Sequence, residues 1–188
     1  MERFLTKFLT FWMPVSRARK VLIRHKLRSW LIRKNVEKNA KIGKNVRFER
    51  HCIFTKGSEV GDYTGVDEIT VFGRGKIKIG RYCRLSWGLR VHTSNHDYNG
   101  ETIPFGEGNI IKDVEIGDFV WIGSDVMLLP GTKIGEGSIV QGGSVVHGVI
   151  PPCSILGGNP AKVFATRDVE KFNQLKAEGK FKTHEPGW

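Results

Sequence analysis

IGDFVWIGSDVMLLPGTKIGEGSIVQGGSVV, residues 116–146, divides into hexads that each open on an aliphatic side chain: Ile116, Ile122, Leu128, Ile134, Val140 and Val146. The series also runs upstream, through Ile42, Phe48, Phe54, Val60, Val66 and Phe72, then after a slip of one residue through Ile79, Leu85 and Val91. A second column lies four residues after the first and is mostly small or β-branched: Val46, Cys52, Ser58, Thr64, Thr70, Cys83, Val120, Val126, Thr132, Ser138 and Ser144. A hexapeptide period marks a parallel β-helix. Three hexads make one coil of a triangular prism, the apolar residue points inward, and the small residue fills the space beside a corner. No coil buries its own interior, so stability comes from stacking on neighbours. The pattern predicts an all-β fold, a parallel β-helix of about five coils. Gly43, Gly61, Gly80, Gly117 and Gly135 each follow an apolar position, and are expected where a corner needs positive φ.

The 188 residues suit one domain with extensions. Cys52, Cys83 and Cys153 show neither metal nor redox spacing. Cys52 and Cys83 fall in the small inward column and read as buried small hydrophobes, and the pattern suits a reducing, cytoplasmic compartment. Of the net charge of +11, +9 falls in residues 1–38, and the rest of the chain is nearly balanced. Without a basic folded surface or a recognition motif, nucleic acid is not an expected partner.

The N-terminal extension, residues 1–38, reads as basic and helical. Phe4, Leu5, Phe8, Leu9, Phe11 and Trp12 have helical spacing up to Pro14. A second segment carries Ile23, Leu27, Trp30 and Leu31 on one stripe, with Arg24, Lys26, Arg28 and Arg33 elsewhere. Basic amphipathic helices of this kind lie in membrane interfaces, or pack on the prism or on a partner subunit; both readings stand. The apolar run is too short to span a bilayer. Lys7 interrupts it and no small-residue cleavage site follows, which argues against a secretory signal.

The repeat breaks between Val91 and Ile116, with a loop expected over 97–113. A long excursion from a tight solenoid is usually functional. It carries His92, Thr93, Ser94, Asn95, His96, Asp97 and Tyr98, then Ile103-Pro104-Phe105. His96 stands where the regular coil ends, and an imidazole there suits proton transfer. His92 lies within the repeat, just after Val91. Two imidazoles without a third ligand make a poor metal site.

At these residues the chain resembles the hexapeptide-repeat acetyltransferases, in the branch with galactoside, maltose, nodulation-factor and streptogramin acetyltransferases. The resemblance covers roughly residues 40–165. It rests on Ser94-Asn95-His96, Val120-Trp121-Ile122-Gly123-Ser124, Leu129-Pro130-Gly131-Thr132, Ile150-Pro151-Pro152 and Gly158-Asn159-Pro160-Ala161-Lys162. It implies a left-handed coil, a homotrimer, acetyl-CoA bound in grooves between prisms, and no metal. It makes His96 the general base and the Ser124 N–H the oxyanion donor, with Gly142 leaving room for the pantetheine arm and Lys162 near the phosphates. Arg167 adds charge there by inference from its position. Trp121 is a cofactor contact or a cover for the prism side, and Asn95 and Tyr98 are acceptor-binding candidates. The chain departs from the family at His147-Gly148-Val149, where a Thr-Lys-Asp run is common. The Lys contact to the cofactor is therefore absent, and His147 is the candidate replacement for the Thr.

After the β-helix domain (39–165), residues 166–188 form a C-terminal helix and tail. Val169, Phe172 and Leu175 share one helix face, Thr166 or Asp168 caps the start and Gly179 ends it. The helix is expected to close the prism or clamp a neighbour. The expected activity is acetyl-CoA-dependent O-acetylation of a sugar or glycan hydroxyl in cell-surface polysaccharide biosynthesis, in the cytoplasm or at the inner membrane face. The alternatives are a sugar-amine N-acetyltransferase, a streptogramin-type enzyme, a γ-carbonic-anhydrase-like metalloenzyme and a non-catalytic trimeric scaffold.

Overall fold

The computed structural model describes residues 17–182. The helical reading of residues 4–12 and the last six residues of the tail lie outside them. A helix, α1 (Arg17–Val36), precedes the coils. The first coil is β1 (Ala40–Ile42), β2 (Arg47–Phe48) and β3 (Cys52–Ile53), and the second is β4 (Ser58–Val60), β5 (Gly65–Val66) and β6 (Ile69–Phe72). The third is β7 (Ile77–Ile79), β8 (Arg84–Leu85) and β9 (Leu89–His92). A hairpin then leaves the prism as β10 (Ser94–His96) and β11 (Asn109–Ile111). Coil four is β12 (Val114–Ile116), β13 (Trp121–Ile122) and β14 (Met127–Leu128), and coil five is β15 (Lys133–Ile134), β16 (Ile139–Val140) and β17 (Val145–Val146). β18 (Val149–Ile150) and β19 (Ser154–Gly158) begin a sixth coil, before β20 (Ala161–Thr166) and α2 (Val169–Ala177).

The strands stack into three parallel sides of a left-handed β-helix. The first side is β1-β4-β7-β12-β15-β18, the second β2-β5-β8-β13-β16-β19 with β20 added antiparallel, and the third β3-β6-β9-β14-β17. There are about six turns rather than five. The last was hidden because the corner after Val146 is short: Ile150 pairs with Ile134, sixteen residues on, whereas Ile134 pairs with Ile116, eighteen on.

The inward columns are buried almost throughout, and Phe48, Val66, Leu85, Ile122 and Leu128 are wholly inaccessible. Phe72 is an exception. Val71 faces Val91 in register and is buried, while Phe72 pairs with His92, is 43% exposed, and stacks on the imidazole at 5.0 Å. Ile69, not Thr70, fills the neighbouring inward position. The corner at 67–68 is short by one residue and the one at 73–76 long by two, which leaves the net slip of one. The buried hydroxyls bond within the prism: Thr64 Oγ1 donates to the Gly80 carbonyl at 2.8 Å and accepts from the Cys83 N–H at 3.1 Å.

The column of glycines has a different cause from the one expected. Neither Gly61 nor Gly117 has positive φ. A Cβ on Gly61 would lie 2.6 Å from the Gly80 carbonyl carbon, and one on Gly117 2.8 Å from the Glu136 nitrogen. These glycines let successive coils approach at one corner. Positive φ there falls two residues later, at Asn45, Tyr63, Tyr82 and Phe119. The rings of Tyr63, Tyr82 and Phe119 stack outside that corner at 4.9 and 5.4 Å. Asp168 caps α2 by accepting from the Lys171 N–H at 2.9 Å. α2 lies along the same corner rather than over the prism end, with Phe172 edge-on to Phe119 at 6.0 Å and Lys176 paired to Glu136 at 2.6 Å.

At the other end, α1 packs on β2 and β3. A first coil has no preceding strand to satisfy its outward N–H groups. Ser29 Oγ accepts the Phe48 N–H at 3.2 Å, and Arg33 donates to the Gly43 carbonyl at 3.2 Å.

Candidate active site

The hairpin that interrupts the repeat is rooted in the third coil. Thr93 is fully buried beneath it; its Oγ1 donates to the Phe72 carbonyl at 2.8 Å and accepts from the Gly75 N–H at 3.1 Å. Gly73, at φ +102°, packs so closely that a Cβ would meet Ser94 Oγ at 2.5 Å. Across the root, the Asp113 carboxylate accepts from the Lys76 N–H at 2.9 Å. This local packing holds β10 firmly where it leaves the prism.

His96 ends β10, opposite Asn109 on β11, and is exposed. Its imidazole lies flat on the Phe105 ring, with centroids 3.9 Å apart and planes 11° apart. Asn95 is exposed opposite Ile110, and Tyr98 is 68% exposed at the tip. Asp97 organises that tip: its carbonyl accepts from the Gly100 and Gly106 N–H groups, and its side chain from the Asn99 N–H at 3.1 Å. The roles of Phe105 and Asp97 were not read from the sequence. The only available signal was their proximity to His96 within the interruption.

Ser124 and Gly142 stack one coil apart on the corner between the second and third sides. The Ser124 carbonyl accepts from the Gly143 N–H at 2.8 Å, and a Cβ on Gly142 would lie 3.1 Å from that carbonyl oxygen. Among the described residues, nothing accepts from the Ser124 N–H. The column continues upward: the Gly158 N–H donates to Ser144 Oγ at 3.2 Å, and Lys162 lies exposed on β20 opposite Gly157. Ser124, Gly142 and Lys162 therefore follow one edge of the prism, in the order a long ligand would meet them.

Trp121 projects from the second side, half exposed, between Arg84 and Ile139. It lines a cavity of about 740 Å³ between that side and α2, together with Tyr82, Phe119, Arg167 and Phe181. The Arg167 guanidinium lies 5.9 Å from the centre of the Phe172 ring, and its Nε is buried without a hydrogen-bond partner. Burial holds its pKa below the ordinary arginine value. His147 is exposed on the corner that carries the hairpin, two coils beyond it. Within one chain the sites thus fall into separate groups. The hairpin with His96 and the edge with Ser124 flank the third side, on the order of 15–20 Å apart at ~3.3 Å per residue.

Burial keeps the cysteines out of this chemistry, with the Cys52 and Cys83 thiols pushed up to about 12. Among the described residues, no three of His, Cys, Asp or Glu gather as metal ligands.

Residues 113–148 match the family model for the bacterial transferase hexapeptide (six repeats). The chain is 32% identical over 131 residues to WcaF of Escherichia coli K12, whose name assigns it to acetyl transfer in colanic acid biosynthesis; the match spans 68% of this chain and 70% of that one. It is 32% identical over 128 residues to WbbJ of the same organism, named as a lipopolysaccharide-biosynthesis O-acetyl transferase, across 64% of this chain and 60% of that one. The fold matches the Vibrio cholerae hexapeptide-repeat acetyltransferase VCA0836, solved with acetyl coenzyme A, at a TM-score of 0.62 and 24% identity, over 88% of this chain and 85% of that one. Taken with the coils and the interrupting hairpin, these matches show that the chain belongs to the hexapeptide-repeat acetyltransferases and is an acyltransferase.

Proposed function

We propose that this chain transfers the acetyl group of acetyl-CoA to a sugar hydroxyl of a cell-surface glycan. The observation that carries the reading is the prism edge on which the unpaired Ser124 N–H, the bare backbone of Gly142 and the Lys162 cation follow one another. Such an edge suits an extended thioester with an anionic end. WcaF and WbbJ support a glycan acceptor by their names, and the name of WbbJ supports oxygen as the atom acetylated.

In this reading His96 takes the proton from the acceptor hydroxyl as its oxygen attacks the thioester carbonyl. A positioned base contributes on the order of a hundred-fold or more. The Ser124 N–H donates to the oxyanion that develops, a fixed dipole needing no reorganisation. Collapse of the tetrahedral species breaks the carbon–sulfur bond, and His96 returns the proton to the departing thiolate. No acyl-enzyme forms. Trp121 stands beside the thioester end, His147 is a cofactor contact, Arg167 adds positive charge to the adjoining cavity, and Asn95 and Tyr98 face the acceptor.

The separation of His96 and Ser124 across the third side, on the order of 15–20 Å at ~3.3 Å per residue, supports a site that combines the hairpin of one copy with the Ser124 edge of another, in a homotrimer. The three free, buried cysteines suit a reducing cytoplasm.

The test is thiol release from acetyl-CoA across a panel of sugars, nucleotide sugars and glycans. His96→Ala is expected to lower kcat about a hundred-fold or more while leaving CoA binding near its original strength. Unchanged turnover would overturn the reading, and a preference for amino sugars would move it to N-acetylation. Mixing His96→Ala chains with Gly142→Leu chains is expected to restore activity, because some sites then combine two intact halves. Failure to restore it in exchanged trimers would place both halves in one chain.

A further inference from the structure

Helix α1 has two apolar faces, and the prism uses one of them. Val36 is 2% exposed within the core, and Ile32 packs against that core beside Ser29 and its bond to Phe48. At about 100° per residue, Ile23, Leu27, Trp30 and Leu31 centre on the opposite side of the helix from Val36. Trp30 is 53% exposed there, and Ile23, Leu27 and Leu31 beside it are half-buried. Arg24, Lys26, Arg28 and Lys34 are exposed around this second face. The helix contains no acidic residue, and Glu37, just after its end, is paired with Arg33 and Lys34. Because α1 packs on the first coil, its free face forms one end of the described molecule.

An apolar ridge with a tryptophan, rimmed by cations, matches a surface that is apolar just below an anionic layer. No described helix is long and apolar enough to cross a membrane, so the helix would lie in the surface plane. We infer that the Leu27–Trp30–Leu31 face of α1 docks on an anionic lipid bilayer. The prism then stands on the membrane by its N-terminal end. The hairpin leaves after the third coil, so at ~4.8 Å per coil plus a helix ~10 Å across His96 sits on the order of 20 Å above the lipid. That height suits an acceptor glycan held on a lipid carrier. This last point rests on the proposed glycan activity, whereas the docking itself does not.

The experiment is co-sedimentation of the full chain with vesicles of phosphatidylglycerol in phosphatidylcholine, compared with phosphatidylcholine alone. Binding is expected on the anionic vesicles, weakening as salt screens the cations. The variant Leu27→Ser/Trp30→Ser/Leu31→Ser is expected to lose about ten-fold or more in partitioning. Its turnover of a soluble acceptor should be unchanged, and Trp30→Ser alone, at the exposed position, should also weaken binding while keeping the parent's melting curve. Arg24→Gln/Lys26→Gln/Arg28→Gln should reduce binding to anionic vesicles and weaken its salt dependence. Equal binding to neutral vesicles, or undiminished binding by the serine variant, overturns the inference. So does a serine variant that differs from the parent in oligomer size by light scattering, which would assign the face to a second copy of the chain. Sedimentation needs no turnover, so an inactive enzyme that still binds would count against the proposed function and not against the docking.

Discussion

Replacing Gly117 by alanine tests why the prism carries glycine at one corner of successive coils. A Cβ there would lie 2.8 Å from the Glu136 nitrogen and 3.1 Å from its Cα. Ordinary contact begins near 3.4 Å, so the facing backbone must retreat by several tenths of an ångström. The Gly117 N–H is bonded to the Ile134 carbonyl at 2.8 Å, and retreat weakens that bond. Overpacking of this kind costs about 1–3 kcal/mol and a strained hydrogen bond about 1 kcal/mol more. The expected loss is therefore about 2–4 kcal/mol, and each kcal/mol lowers Tm by about 2–4 °C for a chain of this size. Circular dichroism melting and urea midpoints would measure it. The discriminating variant is Gly117→Asn. Asparagine tolerates the left-handed region, so it would rescue a site chosen for positive φ but not one chosen for close approach. Gly148 is the control, with φ +75° and nothing within 4 Å of an added Cβ; there asparagine should be better tolerated than alanine. If Gly117→Asn matched the parent, or Gly117→Ala cost under about 0.5 kcal/mol, the close-approach argument would be wrong.

Thr64→Val keeps shape but strands the Gly80 carbonyl and the Cys83 N–H inside the prism. It should cost about 2–4 kcal/mol by urea denaturation, with Thr64→Ser recovering most of the loss. The thiols of Cys52 and Cys83, raised to about 12 by burial, should resist Ellman's reagent until the protein unfolds. Folded pKa values above the unfolded value of about 8.5 mean that their contribution is fully present below that pH. It declines as pH rises toward about 12. Cys52→Ala/Cys83→Ala should accordingly show a shallower alkaline fall in urea midpoint than the parent.

The inward columns could be read from the sequence because each hexad repeats the same inside–outside decision, and solvent enforces it residue by residue. The errors arose where neighbours were equally apolar. Val71 and Phe72 adjoin, so hydropathy could not say which one turns inward. The sixth coil was missed because a corner shorter by two residues broke the period without breaking the fold. The left-handed coil was expected from family resemblance and not from the period. His96 was legible because it stands at the break in a regular pattern. Its stacking on Phe105 and the bonding around Asp97 depend on how the two hairpin arms meet, which no local period encodes.

By itself the sequence determined the repeat, the residues that line the prism and the place where the chain leaves it. These are local matters of which side chains avoid water. The tertiary structure decided what stands beside what. Coil-on-coil stacking aligned Ser124, Gly142 and Lys162 along one edge and left His96 across a side from them. The open first coil drew in one apolar face of α1 and left Trp30 on the other exposed. Both outcomes depend on corner lengths and unsatisfied strand edges, which exist only once the coils have stacked.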